Sequence, residues 1–133
     1  MKTLYTAHAK AVGGRDGHIE TDDKRISTNL SRPGASGSGT NPEQLFACGY
    51  AACFGSAVQF VAQQQKLNVG EITVQSDVTL NQDNNGFFIG VTLNITVPNL
   101  DKAAAKKLVQ DAHQVCPYSK ATRDNINVTL KVA

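Results

Sequence analysis

Tryptophan is absent, methionine occurs once, and aromatic residues make up only 6% of the 133 residues. A core must therefore be built from Val, Ile, Leu and Ala, and an apolar content of 41% is enough for one. That content excludes intrinsic disorder. Cysteines number three, few and odd, which excludes a disulfide-scaffolded mini-protein. Charge is scarce as well: 18% of the residues, thirteen basic against eleven acidic, for a net +2. So even a balance lacks the basic stripe of a dedicated nucleic-acid binder. A small chain with little charge to spread over its surface is expected to bury part of that surface in an oligomer. The length fits one domain spanning residues 1–133.

No targeting segment is read at the N-terminus, where Met1 to His8 has one positive charge and no apolar run behind it. Leu45 to Ala62 carries no charge and approaches the ~17–25 residues of a membrane-spanning helix. It includes Gly49, Gly55, Ser56, Gln59 and Tyr50, however, and its flanks read as β-structure. The expectation is a buried helix in a cytoplasmic protein with no membrane partner. Free thiols are the default there, and a cysteine with a task would be catalytic, redox-active or metal-bound.

Loose alternation over Thr3–Val12, the turn Gly13-Gly14-Arg15-Asp16-Gly17, an extended stretch from His18 to Thr21, and Arg25–Leu30 after Asp22-Asp23 predict three short antiparallel strands. Ser31 to Gly39 reads as a flexible loop. Asn41 as N-cap and Pro42 at the first helical position then start a helix expected to reach about Lys66. Its middle, Leu45 to Phe54, is apolar on all sides, so burial all round is expected, with a second subunit as one wall. Ile72–Leu80 and Phe87–Val97 predict strands around a hairpin turn at Asp83–Gly86. Asn99 or Asp101 caps a helix over Lys102–Val115, Pro117 breaks it, and Ile126–Val132 is a last strand. The order βββ-α-ββ-α-β implies an α+β fold with a mainly antiparallel sheet.

Three thiols are the candidates for chemistry. Cys53 lies inside the apolar helix, and Cys116 ends the second helix just before Pro117, where the chain turns. Cys48 precedes Cys53 by five positions, about 140° around a helix, and reads as core. Each alone is equally compatible with a small packed hydrophobe. A zinc site from His113, Cys116 and Cys53 competes, although no CxxC is present and structural zinc wants four ligands. The Gly-Ser loop before the first helix lacks the Lys-Ser/Thr ending of a phosphate loop. Arg15 in its Gly-rich turn and Glu43 at the helix start read as a solvated turn residue and a first-turn acid, or as an Arg–carboxylate pair beside a thiolate.

Two long stretches, Gly39-Thr40-Asn41-Pro42-Glu43-Gln44-Leu45-Phe46-Ala47-Cys48-Gly49-Tyr50-Ala51-Ala52-Cys53-Phe54 and Val115-Cys116-Pro117-Tyr118-Ser119-Lys120-Ala121-Thr122-Arg123, resemble the paired cysteine motifs of the organic hydroperoxide resistance proteins, in the OsmC/Ohr superfamily. The Gly-Gly-Arg-Asp-Gly turn matches too, and the resemblance covers essentially the whole chain. It implies an OsmC/Ohr-like fold, with the sheet packed on a long buried central helix, and an intertwined homodimer. It further implies a thiol-dependent peroxidase that reduces organic hydroperoxides, with no cofactor and no metal. By position, Cys53 matches the peroxidatic cysteine, Cys116 the resolving one that closes a disulfide with it, and Arg15 and Glu43 the activating pair. The implied reductant is a dithiol, the dihydrolipoyl group of a lipoylated protein. Cys48 stands where such proteins commonly carry Ala, and Asp124 where Gly often follows Thr-Arg. A non-catalytic dimer binding a small apolar ligand in the same pocket, or a zinc-stabilised structural dimer, are the competing classes.

Overall fold

Residues 1–133 are all described by the computed structural model, in which the chain divides into two units, Met1–Leu45 and Phe46–Ala133. The first unit holds strands β1 (Ala9–Val12), β2 (His18–Thr21) and β3 (Ser27–Asn29), antiparallel in that order, with Ala11 opposite Ile19 and Ile19 opposite Thr28. The expected first strand over residues 3–12 forms only from Ala9. The third is shorter than expected because the preceding turn runs on to Ile26, whose carbonyl accepts from the Thr21 N–H at 2.9 Å. Residues 31–39 form a loop pinched at its base: the Ser31 N–H donates to the Thr40 carbonyl and the Thr40 N–H to that of Asn29.

A short 3-10 turn, Gly14–Asp16, joins β1 to β2 and carries Arg15. It closes because Gly17 can lie against the chain: a Cβ there would stand 1.7 Å from the Val12 carbonyl oxygen. Gly17→Ala is expected to force the turn open and lower the melting temperature by roughly 4 °C or more. Calorimetry checks this, and an unchanged melting temperature would mean that the turn has slack.

Helix α1, Pro42–Gln64, begins where the capping signal put it, with Asn41 Oδ1 accepting from the Gln44 N–H at 2.9 Å. In the second unit β4 (Thr73–Asp83) and β5 (Gly86–Thr96) form an antiparallel hairpin around the expected turn. Helix α2 (Lys102–Val115) is capped by Asp101, whose side chain accepts from the Ala104 N–H. Pro117 does stop α2, but it also opens a further helix, α3 (Pro117–Thr122), absent from the sequence expectation. While the other strand pairings are antiparallel as expected, the last strand, β6 (Val128–Val132), pairs with β5 in parallel, which makes this sheet mixed. The reason is the connection: a helical crossover returns the chain in the same direction, which a tight hairpin cannot do.

The core of this unit gathers Tyr50, Phe54, Val58 and Val61 of α1, Val91, Leu93 and Ile95 of β5, and Leu108, Val109 and Ala112 of α2. Burial of α1 is one-sided, against the expectation of burial all round: Cys48, Ala52, Ser56 and Phe60 are exposed in the single chain. Cys48 is therefore surface, not core. One sheet and one helix of a small chain supply only one apolar wall. By length and composition α1 is the one helix that could cross a bilayer.

Candidate active site

Cys53 sits on α1, one turn beyond the fully buried Tyr50. Cys116 sits at the knee between α2 and α3. Its N–H donates to the Ala112 carbonyl and so ends α2, while its own carbonyl accepts from the Lys120 N–H and so begins α3. The knee exists because Pro117 has no N–H to continue α2, yet its fixed φ suits the first position of a new helix.

This arrangement brings two cysteines 63 positions apart into contact, with the Cys116 thiol donating toward the Cys53 sulfur at 3.6 Å. Both are free thiols. A disulfide has S–S of about 2.05 Å, so closure needs an approach of about 1.5 Å. The two are unequal in access: Cys116 is fully sealed, whereas Cys53 is only partly buried. Burial pushes the Cys53 thiol above its ordinary value, the Tyr118 backbone N–H on the sulfur pulls it back, and the Cys116 contact adds to the rise. Left to these neighbours, Cys53 is held toward its thiol form.

The first unit holds a charged pair of its own. Arg15 Nη1 and Nη2 donate to Glu43 Oε1 and Oε2 at 2.8 and 2.9 Å, a two-point fork between the 3-10 turn and the first turn of α1. The fork's hydrogen bonds raise the Arg15 pKa further, which keeps the guanidinium charged. Next to it Asp16 accepts from Arg32 Nε at 3.1 Å through both oxygens, tying the turn to the 31–39 loop. Arg15 is thus no free solvated turn residue.

Sequence reasoning missed a set of buried hydroxyls around the knee. Tyr50 Oη lies 2.8 Å from Ser119 Oγ and 3.2 Å from Thr122 Oγ1. Ser119 Oγ is also 2.8 Å from His113 Nδ1, and the Thr122 hydroxyl donates to the Ser119 carbonyl at 3.2 Å. Arg123 Nη2 donates to the His113 carbonyl at 2.7 Å. Burial and the Arg123 charge push His113 below its ordinary value, so its imidazole is neutral at pH 7. The only sequence signal was the polar pair Ser119 and Thr122 inside a cysteine motif.

A family model described as OsmC-like protein matches residues 35–131. Along 99% of its length the chain is 56% identical to the organic hydroperoxide resistance protein of Xanthomonas axonopodis pv. citri, of which it covers 96%. The chain belongs to the organic hydroperoxide resistance proteins of the OsmC-like family. Solved structures of this family superpose closely. The organic hydroperoxide resistance protein OhrB of Bacillus subtilis is 46% identical with a TM-score of 0.94, covering 98% of this chain and 100% of its own. That of Elizabethkingia anophelis is 45% identical, also with a TM-score of 0.94, covering 100% and 99%. With the family assigned and the Cys53–Cys116 contact in place, the protein is a cysteine-based peroxidase. The zinc alternative needed His113, Cys53 and Cys116 as one ligand set, but no three His, Cys, Asp or Glu side chains gather closely enough to hold a metal.

Proposed function

We propose that this protein reduces alkyl and fatty-acid hydroperoxides to alcohols, with Cys53 as the attacking thiolate, Cys116 as the resolving thiol, and Arg15, held by Glu43, as the activating cation. The observation that carries this reading is the pairing of a partly open thiol with a sealed one at 3.6 Å. In the first step the Cys53 thiolate attacks the terminal oxygen of ROOH. An S–O bond forms, the O–O bond breaks, and the alkoxide leaves with a proton as ROH. In the second step the Cys116 sulfur attacks the Cys53 sulfenic acid. The S–S bond forms, the S–O bond breaks, and hydroxide leaves with the Cys116 proton as water. An external dithiol, which we take to be a dihydrolipoyl group on a lipoylated protein, then reduces the disulfide.

The working unit on this reading is residues 1–133 acting as one domain in an intertwined homodimer. The exposed apolar side of α1 with Phe60, and the bare Val12 and Phe87, support the dimer, since isolated chains rarely leave so much apolar surface in water. A cytoplasmic location suits thiols that cycle through a dithiol state, and the near-neutral charge balance argues against nucleic acid as a partner.

A free-thiol count tests the activity. One equivalent of an alkyl hydroperoxide is expected to take the chain from three free thiols to one. Retention of all three would leave a protein that binds apolar ligands without turning them over.

A further inference from the structure

The hydroxyls around the knee permit only one order of protons. A carbonyl only accepts, so the Thr122 hydroxyl spends its single hydrogen on the Ser119 carbonyl. The Tyr50 contact with Thr122 Oγ1 must then be donated by Tyr50, which leaves Tyr50 nothing to give Ser119. Ser119 therefore donates to Tyr50 Oη. With the Ser119 hydrogen spent, the contact between Ser119 Oγ and His113 Nδ1 requires its proton on Nδ1. The chain runs His113 to Ser119 to Tyr50 to Thr122 to the Ser119 carbonyl, every donor used once. The bare lone pair of the neutral ring is then on Nε2.

Its position matters as much as its order. His113 is three residues before Cys116 and Ser119 three residues after it, so their hydrogen bond spans the knee with the cysteine at its apex. The Arg123 bond to the His113 carbonyl spans the same knee a second time. Tyr50, one turn before Cys53, joins this brace to α1. We infer that His113 is a positioning residue: fixed with its proton on Nδ1, it heads a brace that holds the Cys116 knee to α1 and sets the approach of Cys116 to the oxidised Cys53. This inference rests on the two-cysteine reading above. It concerns chiefly the second step, because the attack of Cys53 on peroxide needs no movement of the knee, although the knee also presents the Tyr118 N–H to the Cys53 sulfur.

Rapid-quench measurements on the full chain separate the steps, reading alcohol release for the first and disulfide formation for the second. In Tyr50→Phe and His113→Leu, alcohol release is expected within about twofold of wild type, while disulfide formation slows about tenfold or more, since misplacement by about 1 Å costs that much in an intramolecular reaction. Overoxidised Cys53 should accumulate accordingly. His113→Asn, whose amide offers a donor near the place of Nδ1, should recover most of the second step. Equal slowing of both steps, or an unchanged second step, overturns the inference. Nitrogen-15 NMR of His113 in the reduced wild-type protein is expected to show a protonated Nδ1 and a bare Nε2, and the opposite tautomer also overturns it. Failure of the wild-type chain to form any disulfide would instead count against the peroxidase reading, and the tautomer measurement would still judge the brace.

Discussion

Cys53→Ser is expected to abolish hydroperoxide turnover. No other sulfur combines access with a partner: Cys116 is sealed, and Cys48, although exposed, is free of any thiol contact. A serine hydroxyl does not ionise near neutral pH and cannot replace the thiolate as nucleophile. Cys116→Ser is expected to behave differently. It should release about one equivalent of alcohol per chain and then stall, because the sulfenic acid at Cys53 has lost the thiol 3.6 Å away and climbs to the sulfinic state under excess peroxide. Alcohol release per chain, followed by the mass of the Cys53 peptide, distinguishes the two. A reversed pattern would exchange the roles of the two cysteines. Full turnover in Cys53→Ser would remove it from the chemistry.

Arg15→Ala should have the second largest effect. Burial already holds the Cys53 thiol above its ordinary value; with Arg15 in the proposed role of activating cation, its removal is expected to raise that thiol further. Each unit of rise is about 1.4 kcal/mol and leaves about tenfold less thiolate at neutral pH. The sign gives a second readout: a thiol with a raised pKa regains its reactive form as pH increases, so the Arg15→Ala deficit should shrink in alkaline solution. Glu43→Ala should slow the reaction less, because it frees the fork of two hydrogen bonds but leaves the charge. Arg15→Lys should recover only part of the rate, since an ammonium keeps the charge and loses the two-point geometry. Thiolate absorbance titrations of these variants check the order, and an unchanged Cys53 titration in Arg15→Ala would return Arg15 to a structural role.

The elements that the sequence displayed well are those with local causes. Asn41 and Pro42 start α1, Asp101 caps α2, and Asp83–Gly86 turns the hairpin, each through contacts within a few residues. Elements decided by distant partners were not legible. The parallel docking of β6 on β5 depends on a whole crossover. Helix α3 was hidden because proline both stops one helix and starts another. Cys48 was misplaced for a related reason: a helix apolar on every side has no periodicity to say which side faces the core. The two site cysteines were legible only as a motif pair, since nothing local brings residues 63 apart into contact. The Arg15–Glu43 fork, across 28 residues, was open to a plain reading on each side until its geometry was seen.

The sealed state of Cys116 fixes the regiochemistry of the step that recharges the enzyme. Thiol–disulfide exchange proceeds by attack in line with the S–S bond, on whichever sulfur the incoming thiolate can reach. The Cys53 sulfur is on the open side and the Cys116 sulfur is enclosed by protein. In the proposed cycle, the mixed disulfide with a thiol reductant is therefore expected to form on Cys53, with Cys116 as the leaving group. The thiol proposed to resolve the oxidised enzyme would thus be the one expelled when the enzyme is reset.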